Sequence, residues 1–170
     1  GKKAYRWRPR TGIYRKYAYL RDAMFGGEVP MSPGAALFRL DDLRKSLVYE
    51  IPGCEAHAYL NLGAGPDLLL YLMTALRYPS VGFVREQLAF FRSHAGAITV
   101  QNRSVPEAYK RTCIWFAQEY FDKTIRDTVL VRYWLEEMRM LRAWLNFRRF
   151  VRDYVKDDAQ VTLSAILSVV

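Results

Sequence analysis

The residues most able to do chemistry are few. Cys54, His57, His94 and Cys113 are the only cysteines and histidines in the 170-residue chain. Cys54-x-x-His57 has the spacing of half a zinc site. The other half would have to be single residues from separate segments, whereas structural zinc sites keep both halves closely paired. These four therefore read as buried thiols and ordinary histidines. A nucleophile needs a base and a group to orient it. No G-x-S-x-G elbow is present, and neither histidine has diagnostic neighbours. The acidic pairs Asp41-Asp42, Glu136-Glu137 and Asp157-Asp158 are adjacent in sequence. Adjacent helical residues point about 100° apart and cannot share a substrate as catalytic carboxylates do. Gly63-Ala64-Gly65-Pro66 is the one glycine-rich turn before a helix. It lacks the third glycine of a dinucleotide site and the Lys-Ser/Thr of a phosphate loop. Pro66 also removes a backbone donor, so the turn reads as a cap. No catalytic residue, metal or cofactor is expected, and the chain does not read as an enzyme.

Charge points to a partner instead. The net charge is +9, and residues 1–21 hold eight basic groups and no acid. The remainder is nearly neutral. Within that arm basic and aromatic residues alternate. Lys2, Lys3, Arg6, Trp7, Arg8, Arg10, Tyr14, Arg15 and Lys16 are the candidate partner- or anion-binding residues. Guanidinium groups can hold phosphates while aromatic rings stack on bases. The same composition suits anionic lipid headgroups or an acidic groove on a protein. A chain starting at Gly1 is what loss of a transit peptide would leave, and equally what an arbitrary boundary would. Two cysteines make no disulfide framework, so a reducing compartment is expected.

The elements that would position these groups read as helices. Ser32-Pro33 opens one over 34–50, with Leu37, Leu40, Leu43 and Leu47 as its apolar stripe. A short helix is expected over 54–62 and another from Pro66 to Tyr78, stopped by Pro79. Ser80 would cap the next, carrying Phe83, Leu88 and Phe91 and ending at Gly96. Residues 97–100 are the one candidate edge strand. Ser104-Val-Pro106 opens a helix to about Phe121, and Thr124 to Asp127 matches a capping box. From there one long helix is predicted to Lys156, then a short apolar one over 159–170. The apolar run 68–75 is too short to span a bilayer, so no transmembrane segment is expected.

The fold class expected is thus all-α: stacked helical hairpins, repeat-like or an irregular bundle, with a basic arm at 1–31 and a helical domain at 32–170. The long C-terminal helix has two neighbouring stripes. One is Trp134, Met138, Leu141 and Leu145; the other is Met140, Trp144, Phe147, Val151 and Tyr154. Together they make an apolar face about twice the usual width. The second stripe is the candidate partner-helix interface, since such aromatics are typical anchors.

Residues 66–96 resemble a degenerate pentatricopeptide repeat. Pro66-Asp67, then Tyr71, then Leu88 and Phe91 match that family's helix pair. The resemblance implies a mitochondrial or plastid location and often single-stranded RNA binding. It also implies that the residue after the tyrosine reads the base, usually as Asn, Ser or Thr. Here that residue is Leu72, which offers a base edge no hydrogen bond. The candidate repeat at Pro106 has Arg111 in the tyrosine's place. The spacing of Phe25-Gly26-x-Glu28-Val29, Pro66-Asp67 with Tyr71, and Pro106 is similar to one further group. That group is the helical-repeat accessory subunits on the catalytic head of euglenozoan mitochondrial ATP synthase. It implies a non-catalytic structural subunit of a large mitochondrial assembly, on the matrix side or peripheral to the inner membrane. Its partners would be other protein subunits, with anionic lipid contact open. The alternative expectation is an RNA-contacting protein such as a mitochondrial ribosomal subunit.

Overall fold

Gly12-Ile13-Tyr14-Arg15 alternates outward and inward residues, the pattern of a strand with one covered face. In the computed structural model, which describes residues 7–25, 27–53, 59, 63–88 and 104–140, this segment is β1 (Gly12–Arg15). It pairs antiparallel with β2 (Ser80–Phe83), Gly12 opposite Phe83 and Arg15 opposite Ser80. The all-α expectation is therefore corrected. The described residues are about 59% helix and 8% strand, a mixed fold of five α-helices and a two-stranded sheet. The helix expected from Ser80 is among the corrections. Pro79 forces Tyr78 into an extended backbone at φ −117° and ψ 152°. The chain leaves it already in strand geometry, and Gly82 would weaken a helix there. Val81 and Phe83 suit a strand once a partner exists.

The chain divides into two compact units, residues 1–50 with 55–109 and residues 51–54 with 110–170. In the first, β1 runs straight into α1 (Lys16–Met24). Tyr19, Leu20, Ala23 and Met24 form the buried face of α1, while Tyr17 and Arg21 look outward. So the stretch expected as an arm holds a strand and a helix from Gly12 on. Beyond α1, the Gly27 N–H meets the Asp22 carbonyl at 2.6 Å. A Cβ on Gly27 would lie 2.8 Å from that oxygen, so only glycine fits the approach.

A 3₁₀ turn (Pro33–Ala35) and α2 (Leu40–Ser46) stand where one helix over 34–50 was expected. Three of the four expected stripe leucines face solvent, and Leu43 is half-buried. Leu37, Leu40 and Leu47 are exposed, while Asp42 and Ser46 are buried. The reason is a set of polar partners on α3 (Pro66–Arg77) and just after it. The Tyr78 hydroxyl donates to Asp42 at 2.7 Å. Ser46 meets Thr74 at 3.4 Å, and Arg77 donates to the Lys45 carbonyl at 2.9 Å. Buried there, the Asp42 carboxylate keeps its hydrogen bond, and Ser46 keeps a polar partner.

α3 is the centre of the first unit, with Leu68, Leu69, Leu70, Tyr71, Leu72 and Ala75 buried on nearly every side. Pro66 opens it, preceded by Gly65 at φ 117°, a conformation that side chains rarely adopt. The Asp67 carboxylate accepts from the Leu68 N–H at 2.8 Å and from the Tyr109 hydroxyl at 2.7 Å. Burial raises its pKa above the ordinary carboxyl value, against those hydrogen bonds. A raised folded-state pKa means that the protonated form contributes stability below the unfolded pKa. That contribution is lost as pH rises through the folded value. Asp67→Asn, whose oxygen can keep the Leu68 N–H while its amide N–H donates to the Tyr109 oxygen, is therefore expected to gain stability relative to the wild type as pH rises from about 3 to about 7. Urea titrations of both proteins across that range measure it. A stability difference that does not change with pH would rule this account out.

The second unit takes over within α4 (Ser104–Tyr120) and continues through α5 (Lys123–Met140). Ile114 and Leu130 form its described core, with Tyr133 and Trp134 packed against them. Phe116 lies against Tyr120 and Phe121, with ring centroids 5.1 and 5.6 Å away. Asp122 caps α5 by accepting from the Ile125 N–H at 3.1 Å, not the box expected at Thr124. The expected continuation of this helix to Lys156 lies outside the described residues, as do the predicted helix over 159–170 and, apart from Tyr59, the one over 54–62.

Candidate functional site

The described part of the basic segment is mostly turned inward. Trp7 is 8% exposed and sits among three rings. Tyr19 is 5.2 Å away, Tyr14 5.3 Å and Phe83 5.4 Å between centroids. These arrangements are tilted or edge-to-face, the favourable geometries for aromatic pairs. The indole N–H donates to Asp22 at 2.8 Å, and Arg8 donates to the same oxygen at 2.9 Å. Arg21 takes the other Asp22 oxygen at 2.9 Å. Burial would raise the Asp22 pKa, but the Trp7 and Arg21 hydrogen bonds and the Arg21 and Arg8 charges outweigh it, so it falls below the ordinary value. The Arg8 guanidinium also lies 4.7 Å over the Trp7 ring. Lys16 donates to the Leu76 carbonyl at 3.0 Å, in the last turn of α3, where a cation suits the helix end.

The basic-aromatic alternation thus has an internal use. Trp7, Arg8, Tyr14 and Lys16 are committed to the fold. A ring edge-packed in a core cannot stack on a base, and a guanidinium held by a carboxylate is a poor phosphate clamp. Arg10 and Arg15 remain exposed, beside Ile13 and Tyr17. Lys2, Lys3 and Arg6 lie outside the described residues. Of the candidate partner-helix residues, Met140 ends α5, and Trp144, Phe147, Val151 and Tyr154 lie outside the described residues.

Among the described residues no group of three or more His, Cys, Asp or Glu could hold a metal ion. Cys54, His57 and His94 lie outside them. Cys113 is fully buried; burial pushes its thiol up to about 11, although a hydrogen bond to Tyr133 opposes the shift. A thiol held protonated and away from solvent is not a nucleophile. No helix among the described residues is long and apolar enough to cross a membrane.

Two features were missed by reading the sequence for charge. One is Asp22, the anchor of Trp7, Arg8 and Arg21. The other is the exposed apolar set Leu37, Leu40, Leu47 and Tyr49 around α2. The first had a signal in being the sole acid within residues 7–25. No family model, curated protein or solved structure matches the chain.

Proposed function

We propose that the chain is a non-catalytic accessory subunit of a large mitochondrial assembly, an ATP synthase or another energy-converting complex of the inner membrane. The observation that carries the structural role is the orientation of α2. It places Leu37, Leu40, Leu47 and Tyr49 in solvent while Asp42 and Ser46 are buried. Large apolar side chains left exposed on one segment suit a surface that another protein covers. The mitochondrial placement and the choice of complex rest on the resemblance carried by Phe25, Gly26, Glu28, Val29, Pro66, Asp67, Tyr71 and Pro106.

The test is sedimentation of the tagged chain from its own cells, against a Leu40→Asp/Leu47→Asp variant. Both leucines are solvent-facing, so the variant is expected to melt within about 0.5 kcal/mol of wild type. It is expected to leave the assembly fraction and sediment alone. A variant that stays in the assembly, or a wild type that sediments at its own mass, would count against the proposal.

A second reading, an RNA-contacting subunit, keeps one observation in its favour: Arg10, Arg15 and Tyr17 are all exposed. Seven basic groups lie between Lys2 and Lys16, and Arg8 and Lys16 are committed internally. At most five remain to neutralise phosphates. Single-stranded RNA binding would then weaken with salt at a log–log slope no steeper than about −3.5. Tight binding of that kind by the purified chain would favour this reading over the first.

A further inference from the structure

We infer that the outer edge of β1 is the docking site for an extended acidic segment of a partner protein, which adds there as a third strand. The inference rests on the subunit reading above and names a second surface for it.

Among the described residues the sheet has two strands, so each has one edge without a described neighbour. The register settles which backbone groups face outward on β1. The Lys16 N–H donates to the Pro79 carbonyl at 3.1 Å, so that pair is hydrogen-bonded across the strands. Antiparallel pairs alternate between bonded and non-bonded. Tyr14 with Val81 and Gly12 with Phe83 are then bonded pairs. Ile13 opposite Gly82 and Arg15 opposite Ser80 are non-bonded, and the N–H and C=O of Ile13 point away from β2. Open edges with such groups are templates for strand addition.

The side chains along this edge specify what would add. Ile13 is 80% exposed and Arg15 is exposed, both on the face opposite the Trp7 cluster. Arg10 is exposed just before the strand. Residues 7–25 contain five bases against one acid, and that acid, Asp22, is saturated by Trp7, Arg8 and Arg21. An added strand would therefore meet two free guanidinium groups and an apolar side chain. Carboxylates opposite Arg10 and Arg15, with an apolar residue near Ile13, are the complement.

Proline at position 13 separates backbone pairing from side-chain contact. The Ile13 N–H does not serve the β1–β2 ladder, so proline removes only the outward donor. Ile13→Thr removes apolar surface and keeps the donor. Tagged full-length chains are compared by sedimentation with the native assembly. Ile13→Pro and Arg15→Glu are expected to be lost from it, and Ile13→Thr to be retained. Hydrogen exchange on wild type gives a readout that needs no variant. The Ile13 amide is expected to exchange openly in the free chain and to be protected in the purified assembly. Retention of Ile13→Pro, or an Ile13 amide equally open in both states, would overturn the edge while leaving the subunit reading intact. A wild type absent from any assembly would overturn both. Release of the wild type by ribonuclease would overturn the protein partner in favour of RNA.

Discussion

Trp7→Ala is expected to destabilise the first unit by about 3–5 kcal/mol, the range for truncating a buried Trp or Phe to alanine. Three effects act together. The cavity opens between Tyr14, Tyr19 and Phe83, so Tyr19 and Phe83 lose an edge-to-face partner and Tyr14 a tilted one. The Asp22 carboxylate loses one of its donors, and Arg8 loses the ring it covers. For a chain of this size that amounts to a drop of roughly 10 °C in the melting midpoint. Trp7→Phe should retain most ring contacts and lose mainly the hydrogen bond to Asp22, costing about 1 kcal/mol. Arg15→Ala, on the exposed face of the same strand, should stay within about 0.5 kcal/mol. Thermal melts of the three variants give the ranking. If Trp7→Ala melted like Arg15→Ala, the inward assignment of this segment would be wrong.

That contrast between Trp7 and Arg15 also shows what the sequence made legible. Charge counting treated residues 1–31 as one arm, because eight bases without an acid dominate its first 21 positions. Strand alternation in Gly12-Ile13-Tyr14-Arg15 is a weaker signal over four residues, and its partner Ser80–Phe83 lies far along the chain. Long-range pairing leaves no local trace, so the segment after Pro79 read as another capped helix. Elements with local punctuation were legible. Pro66 and Pro79 bracket α3, and Ser104 with Pro106 opens α4. Near α2 the apolar spacing of Leu37, Leu40, Leu43 and Leu47 was plain, but its direction was not. The orientation is decided by Tyr78 and Thr74 on another element, through Asp42 and Ser46. Periodicity gives a helix its two faces and leaves the choice of inner face to its neighbours.

Leu72→Asn is expected to cost about 3–5 kcal/mol, and not to confer RNA binding. The pentatricopeptide resemblance makes this position the base reader, and asparagine is among the residues that do the reading. In this fold Leu72 is 0% exposed, on the helix buried on nearly every side. A ligand base has no path to it. The substitution removes a buried aliphatic side chain, worth about 2–5 kcal/mol as truncation to alanine. It adds an amide whose hydrogen-bonding groups would go unpaired at about 1–3 kcal/mol. The amide fills part of the cavity, so the two costs overlap and do not sum in full. Leu88, which the same resemblance places on a second helix, is 77% exposed in the irregular stretch after β2. The surface that would read bases in a helix pair is therefore absent from residues 66–88. Chemical denaturation of the purified variant tests the first half. Titration with single-stranded RNA at low salt, beside wild type, tests the second. A Leu72→Asn protein that folds normally and gains RNA affinity would place position 72 at a surface, against the burial of α3.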